Sequence, residues 1–110
     1  MKPFRLVYVA FPSPADVLGG VAVNDTLSGG YVIAINTIKP AEEQTRTLKH
    51  ELAHIVLGHV LDERTETDKS YLENLDAVEA EADCYADQMT DDEFLELMTY
   101  QIGETAYWEL

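Results

Sequence analysis

Cysteine is almost missing from this sequence: Cys84 is the only one in 110 residues, which excludes an internal disulfide and favours a reducing compartment. A single domain of this length buries an adequate core without such a staple. Positive charge is scarce as well. Seven lysines and arginines stand against 21 aspartates and glutamates, a formal net charge of −14, and a surface of that sign repels the phosphate backbone, so nucleic acid is excluded as a partner. The surplus acid either serves solubility or attracts a basic substrate or partner segment, and composition does not choose between them. Long hydrophobic runs are also absent. The apolar stretch after Met1-Lys2-Pro3-Phe4-Arg5 stops at Pro12, too short for a secretory leader or a bilayer span, so we expect a cytoplasmic protein without membrane association. With no repeat, low-complexity tract or linker, residues 1–110 read as one domain.

What is there begins with strand chemistry. Residues 4 to 11, Phe-Arg-Leu-Val-Tyr-Val-Ala-Phe, are β-branched and aromatic and predict a strand, closed by Pro12-Ser13-Pro14. Asp16 to Gly20 reads as a turn or short helical piece, and Gly20 to Asn24 as a second, weaker strand. Ser28-Gly29-Gly30 marks a tight turn into the clearest strand, Tyr31 to Asn36. Two turn-linked strands with a third nearby predict an α+β fold on a small, mostly antiparallel three-stranded sheet. Pro40, followed by Glu42 and Glu43 at the positive end of the dipole, opens a central helix expected to run to about Leu61, before the polar segment Asp62 to Lys69. Ser70 with Glu73 has capping-box spacing and opens a second helix over about 71 to 89; Thr90 with Glu93 repeats the device for a short third helix that stops before Gly103.

The central helix carries the chemistry. His50 and His54, four residues apart, stack on one face and can reach one ion, while Glu51 stands about 100° round the helix, beside a metal rather than on it. This is the H-E-x-x-H pattern of a metallopeptidase, in which the carboxylate serves as general base. The sequence has three histidines, and chance alone produces such a pattern in about one shuffled chain in a hundred. The surrounding Leu48, Leu52, Ala53, Ile55, Val56, Leu57, Val60 and Leu61 leave no continuous polar face, so the helix is expected to be buried. A metal would satisfy the buried histidines and glutamate together.

Two histidines do not hold a catalytic zinc; a third protein ligand is needed. Glycine three and histidine six residues after the second histidine would supply the metzincin ligand, but Leu57 and Val60 stand there. His59 is expected about 180° from His50, so that it cannot share the ion and interacts with the helix dipole at the helix end instead. On the second helix, Glu79 falls inside the apolar stripe of Leu72, Leu75, Val78, Ala82, Tyr85, Ala86 and Met89, which makes it the better ligand candidate, whereas Glu81 lies beyond the other edge. Asp83, four residues on from Glu79, is suited to receive an N–H from a metal-bound histidine.

His50-Glu51-Leu52-Ala53-His54, with Glu79-Ala80-Glu81-Ala82-Asp83-Cys84-Tyr85-Ala86 about 25 residues later, resembles the gluzincin metallopeptidases. More narrowly it resembles the ImmA/IrrE-type proteins of bacteria and their mobile elements, and minimal gluzincins of this length. The resemblance covers roughly residues 30 to 90. It implies a zincin-like fold, Zn2+ held by His50, His54 and Glu79, Glu51 as general base, and an edge strand that aligns a peptide beside the zinc helix. The substrate is then a peptide or protein, a regulatory protein among the candidates. After the glutamate helix such chains commonly carry a hydrophobic stretch ending in proline, where this one has Asp87-Gln88-Met89-Thr90-Asp91-Asp92-Glu93. No motif identifies the group that stabilises the oxyanion; Tyr71, Tyr85, Arg46 and Arg64 are the candidates. A rival expectation is a non-hydrolytic or self-inhibited zinc protein used in partner recognition, with the tail Glu104 to Leu110 folded over the site, docked on a partner or packed on the sheet.

Overall fold

In the computed structural model, which describes residues 1–25, 27, 29–60 and 75–108, the N-terminal run of β-branched and aromatic residues forms β1 (Phe4–Val9). Successive strand side chains face opposite ways, and Phe4 and Leu6 on one face are buried. A 3-10 turn at Ala15–Val17 leads to β2 (Gly20–Asp25), and a hairpin returns the chain as β3 (Gly30–Asn36). Three helices follow among the described residues, α1 (Ala41–Val56), α2 (Leu75–Gln88) and α3 (Asp91–Met98), and then a short strand, β4 (Ala106–Trp108).

The sheet has four strands in the order β2-β3-β1-β4 and is mixed. This corrects the expectation of a three-stranded, mostly antiparallel sheet. Only the β2–β3 hairpin is antiparallel; β1 runs parallel to β3, with Leu6 opposite Ile33, and β4 runs parallel to β1, with Tyr8 opposite Tyr107. The cause is the connection over residues 10–19, which carries the chain from β1 to the far edge, so that the returning β3 slots between β2 and β1 in the direction of β1. The fourth strand comes from the tail. Tyr107 stacks on Tyr8 with ring centroids 5.3 Å apart, so Ala106–Trp108 packs on the sheet at the edge opposite β2; residues 109 and 110 lie outside the described residues.

Helix α1 lies across the sheet because its apolar side matches the sheet's inner face. Leu48, Leu52 and Ile55 meet Phe4, Leu6, Ile33 and Ile35 in one cluster, with Leu52, Phe4, Ile33 and Ile35 wholly buried. Each such side chain contributes about 1.5–3 kcal/mol on burial. Together they set the rotation of α1, and hence the direction of His50, Glu51 and His54. Helix α3 starts where the capping spacing predicts, with the Glu93 N–H donating to Thr90 Oγ1 at 3.1 Å. The Glu93 carboxylate does not reach back to complete the box; it accepts from the Tyr85 hydroxyl. The expected start of α2, with Ser70, Tyr71, Leu72 and Glu73, and the segment Asp62 to Lys69 lie outside the described residues. Among the described residues, no helix is long and apolar enough to cross a membrane.

The connection that makes the sheet mixed is held by one side chain. Asn36, wholly buried at the end of β3, donates through Nδ2 to the carbonyls of Asp16 (3.1 Å) and Leu18 (2.8 Å). Its Oδ1 accepts from the N–H groups of Phe11 (3.1 Å) and Ile38 (3.2 Å). The chain then enters β2 tight against α1: a Cβ on Gly20 would stand 2.7 Å from the Ala34 carbonyl oxygen and 2.8 Å from Thr47 Cγ2, so only glycine lets β2 approach the helix this closely. Replacing Asn36 by alanine strands several buried backbone groups. Asn36→Ala is expected to lower unfolding free energy by about 3 kcal/mol, read as a fall in the urea midpoint with the slope unchanged.

Candidate metal centre

The rotation of α1 leaves His50 and His54 on the flank that faces α2. Their rings sit one helical turn apart, centroids 4.6 Å from each other and nearly perpendicular, and their Nε2 atoms are 2.9 Å apart. Across from them Ala53 packs on Ala82 and Ala86 of α2. Small side chains at a helix crossing permit a close interaxial approach. That approach brings the Glu79 carboxylate to both rings, with Oε2 at 2.9 Å from His50 Nε2 and Oε1 at 3.2 Å from His54 Nε2. Among the described residues these three are the group able to share a metal ion. The Glu79 side chain is nonetheless 49% exposed. It faces an open cleft rather than lying in a buried stripe, because the described part of α2 buries little beyond Ala82 and Ala86.

Do these atoms suit a cation? Tetrahedral ligation with bonds of about 2.0–2.1 Å separates ligand atoms by about 3.3 Å, close to the 2.9 Å between the two nitrogens and the 2.9 and 3.2 Å from them to the two oxygens of Glu79. The donor set points the same way. Asp83, one turn beyond Glu79, has Oδ1 2.7 Å from His50 Nδ1, so that nitrogen carries the proton and donates it. In that tautomer His50 Nε2 offers a lone pair beside a second imidazole nitrogen and a carboxylate. Acceptors clustered this closely repel one another, and a cation between them removes the conflict. Burial is the main influence on His54, pushing it below the usual histidine value against the opposing pull of Glu79, which favours the neutral form that ligates.

Glu51 is only 7% exposed and does not join the three ligand atoms. Burial, opposed by His50 and reinforced by Glu79, pushes its carboxyl up to about 7 in the metal-free protein; a cation beside it would draw that value back down. It lines a cleft of about 260 Å³ with His54, Glu79 and Val21, Ala22 and Val23 of β2. A second hollow, of about 300 Å³, adjoins it on the other side, bounded by His50, Thr47 and Gly19, and Glu51 and Glu79 belong to both. The groove thus runs past the histidines along the outer edge of β2. With the Asn36 N–H donating to the Gly19 carbonyl at 2.8 Å, the antiparallel alternation turns the backbone groups of Gly20 and Ala22 away from β3, toward that groove.

Helix α1 ends at Val56, earlier than the expected Leu61, and the difference moves a histidine. Gly58 takes φ +76°, the left-handed conformation that stops a helix, and two reversed bonds close the end: the His59 N–H to the His54 carbonyl at 2.8 Å and the Gly58 N–H to the Ile55 carbonyl at 3.1 Å. The chain doubles back. His59 therefore does not point away from the metal face, as a continuing helix would require, but brings its Nδ1 to 3.1 Å from His54 Nδ1. Glu81, the weaker ligand candidate, lies 3.3 Å from His59 Nε2 and takes no part in the three-atom cluster. The sequence signal was Gly58, a glycine where a helix end needs one. Of the candidates for the oxyanion, Tyr85 is engaged by Glu93 and Arg46 lies beside Glu42 and Asp87, so neither borders the groove; Tyr71 and Arg64 lie outside the described residues.

A four-stranded α+β domain, with two histidines of one helix and a glutamate of the next gathered round a shared point beside the outer strand of the sheet, has the makings of a metallopeptidase. Comparison with protein families agrees: the model of the IrrE N-terminal-like domain, peptidase family M78, matches residues 8–107. The chain belongs to that family of ImmA/IrrE-type zinc metallopeptidases. No curated protein and no solved structure matches it.

Gly58 offers a direct check on the helix end. A Cβ there would meet no neighbour within 4 Å, so the cost of substitution comes from φ alone. Gly58→Ala is expected to lose about 1–2 kcal/mol of stability in urea unfolding.

Proposed function

We propose that the protein hydrolyses peptide bonds, with zinc held by His50 Nε2, His54 Nε2 and the Glu79 carboxylate, Glu51 as general base, and Asp83 orienting His50. The observation that carries this is the convergence of two imidazole nitrogens and a carboxylate from two helices, with contacts of 2.9–3.2 Å between the groups and a buried carboxyl, Glu51, beside them. Two imidazoles and a carboxylate suit zinc by donor type. When bound, zinc contributes Lewis acidity, both to activate water near neutral pH and to polarise a carbonyl.

The protein's own groups supply the rest. Glu51 takes a proton from the attacking water on its carboxylate and passes it to the leaving nitrogen, which splits the peptide into an acid and an amine. Asp83, accepting from His50 Nδ1, keeps the other ring nitrogen unprotonated and aimed at the ion. An extended substrate pairs with the outward backbone groups of β2, as peptides add to open sheet edges elsewhere, and so lies across Glu51 and Glu79. The lone, exposed Cys84 fits a reducing compartment, so we place the activity in the cytoplasm, on an extended segment of a peptide or protein such as a regulatory protein.

Two substitutions separate binding from chemistry. Glu51→Gln is expected to retain the zinc content and fold of the wild type while peptide turnover falls by about 10²–10⁴-fold, measured by metal analysis, circular dichroism and digestion of a peptide library. Glu79→Ala is expected to lose zinc on dialysis under conditions in which the wild type keeps it. Wild-type zinc content in Glu79→Ala would remove the third ligand, and undiminished cleavage by Glu51→Gln would remove the base.

A further inference from the structure

Resting on the ligand set proposed above, we infer that His59 is a positioning residue for the metal: with Glu81 it forms a relay that holds the proton of His54 on Nδ1 and leaves Nε2 free to ligate. Each histidine of α1 has a partner behind its Nδ1, but the two partners differ. His50 is held from behind by Asp83, its Nδ1 at 2.7 Å from the carboxylate. Behind His54, among the described residues, stands His59 in place of a carboxylate, Nδ1 to Nδ1 at 3.1 Å, with Glu81 at 3.3 Å from the far nitrogen of His59.

The protons can be assigned from the far end inward. Glu81 is a carboxylate and only accepts, so His59 Nε2 carries a proton and donates it. A neutral His59 then has an unprotonated Nδ1, able to accept from His54 Nδ1–H. That leaves the His54 lone pair on Nε2, which faces His50 Nε2 and Glu79. The opposite tautomer of His54 would set two lone pairs against each other at 3.1 Å and turn an N–H into the ligand cluster. His54 and His59 are also well shielded, with side chains 10% and 11% exposed, so water is a poor substitute for either bond.

The helix end makes the relay possible. The reversal at Gly58 bonds the His59 N–H to the His54 carbonyl at 2.8 Å, fixing the two residues to each other through the backbone as well as through their rings. Glu79, Glu81 and Asp83 thereby acquire separate duties on one helix: one carboxylate in the ligand cluster and one behind each histidine's relay.

Zinc affinity of the full-length chain, measured by competition with a chromophoric chelator, tests this on wild type, His59→Phe, His59→Gln and His54→Ala. Phenylalanine fills the space and accepts nothing, so His59→Phe is expected to bind zinc about 10- to 100-fold more weakly. Glutamine can accept from His54 and donate to Glu81, so His59→Gln is expected to recover most of that loss. Wild-type affinity in His59→Phe, or equal weakness in both variants, would overturn the relay. Wild-type affinity in His54→Ala would overturn the ligand set beneath it, which keeps the two failures distinguishable. Nitrogen-15 spectra of the unmutated zinc-loaded protein give a check independent of variant folding: His59 is expected protonated at Nε2 and bare at Nδ1, and the reverse would overturn the proposal.

Discussion

Three electron-rich atoms forced into one small space govern this structure. His50 Nε2, His54 Nε2 and the Glu79 carboxylate approach to 2.9–3.2 Å, and they do so because apolar packing elsewhere is strong enough to hold them there. The cluster of Leu48, Leu52 and Ile55 on Phe4, Leu6, Ile33 and Ile35 fixes the roll of α1, and the alanine contact between Ala53, Ala82 and Ala86 fixes the distance of α2. Each contact is ordinary. Their combined effect is to hold together three groups that could share a metal ion.

The edge of the sheet is tied to the same point. Asn36 anchors the loop that delivers Leu18, Gly19 and Gly20 to the flank of α1, and Gly20 has no side chain to hold β2 off from Thr47. As a result the open edge of β2 and the buried Glu51 border one groove. Under the proposed function, a peptide laid along that edge has its backbone held by strand pairing and its scissile bond beside Glu51, so binding and orientation come from one element. The tail strand occupies the opposite edge. It pairs with β1 and puts that strand inside the sheet, so that among the described residues β2 is the edge strand that borders the groove.

Much of the candidate site was legible because it is local. The i, i+4 spacing of His50 and His54, and the placing of Glu51 beside rather than between them, follow from helical geometry alone, and Glu79 with Asp83 repeats that spacing on the second helix. The capping pair Thr90 and Glu93 located the start of α3 for the same reason. Elsewhere local reasoning failed for identifiable causes. Glu79 was placed in a buried stripe, yet it is half exposed, since hydrophobic spacing does not say which part of a stripe meets a neighbour. His59 was sent to the wrong side by continuing the helix through Gly58, whose left-handed φ reverses the chain.

The sequence by itself determined β1, β2, β3 and the helices in outline, the residue types that could hold a metal and their spacing along each helix, because these depend on interactions within a few residues. Which way β1 runs relative to β3, that Ala106–Trp108 joins the sheet, and that His59 and Glu81 stand behind His54 were decided only by tertiary structure. Strand pairing and contacts between helices join residues far apart in the chain, and their geometry is set by how whole faces pack, which no local pattern records.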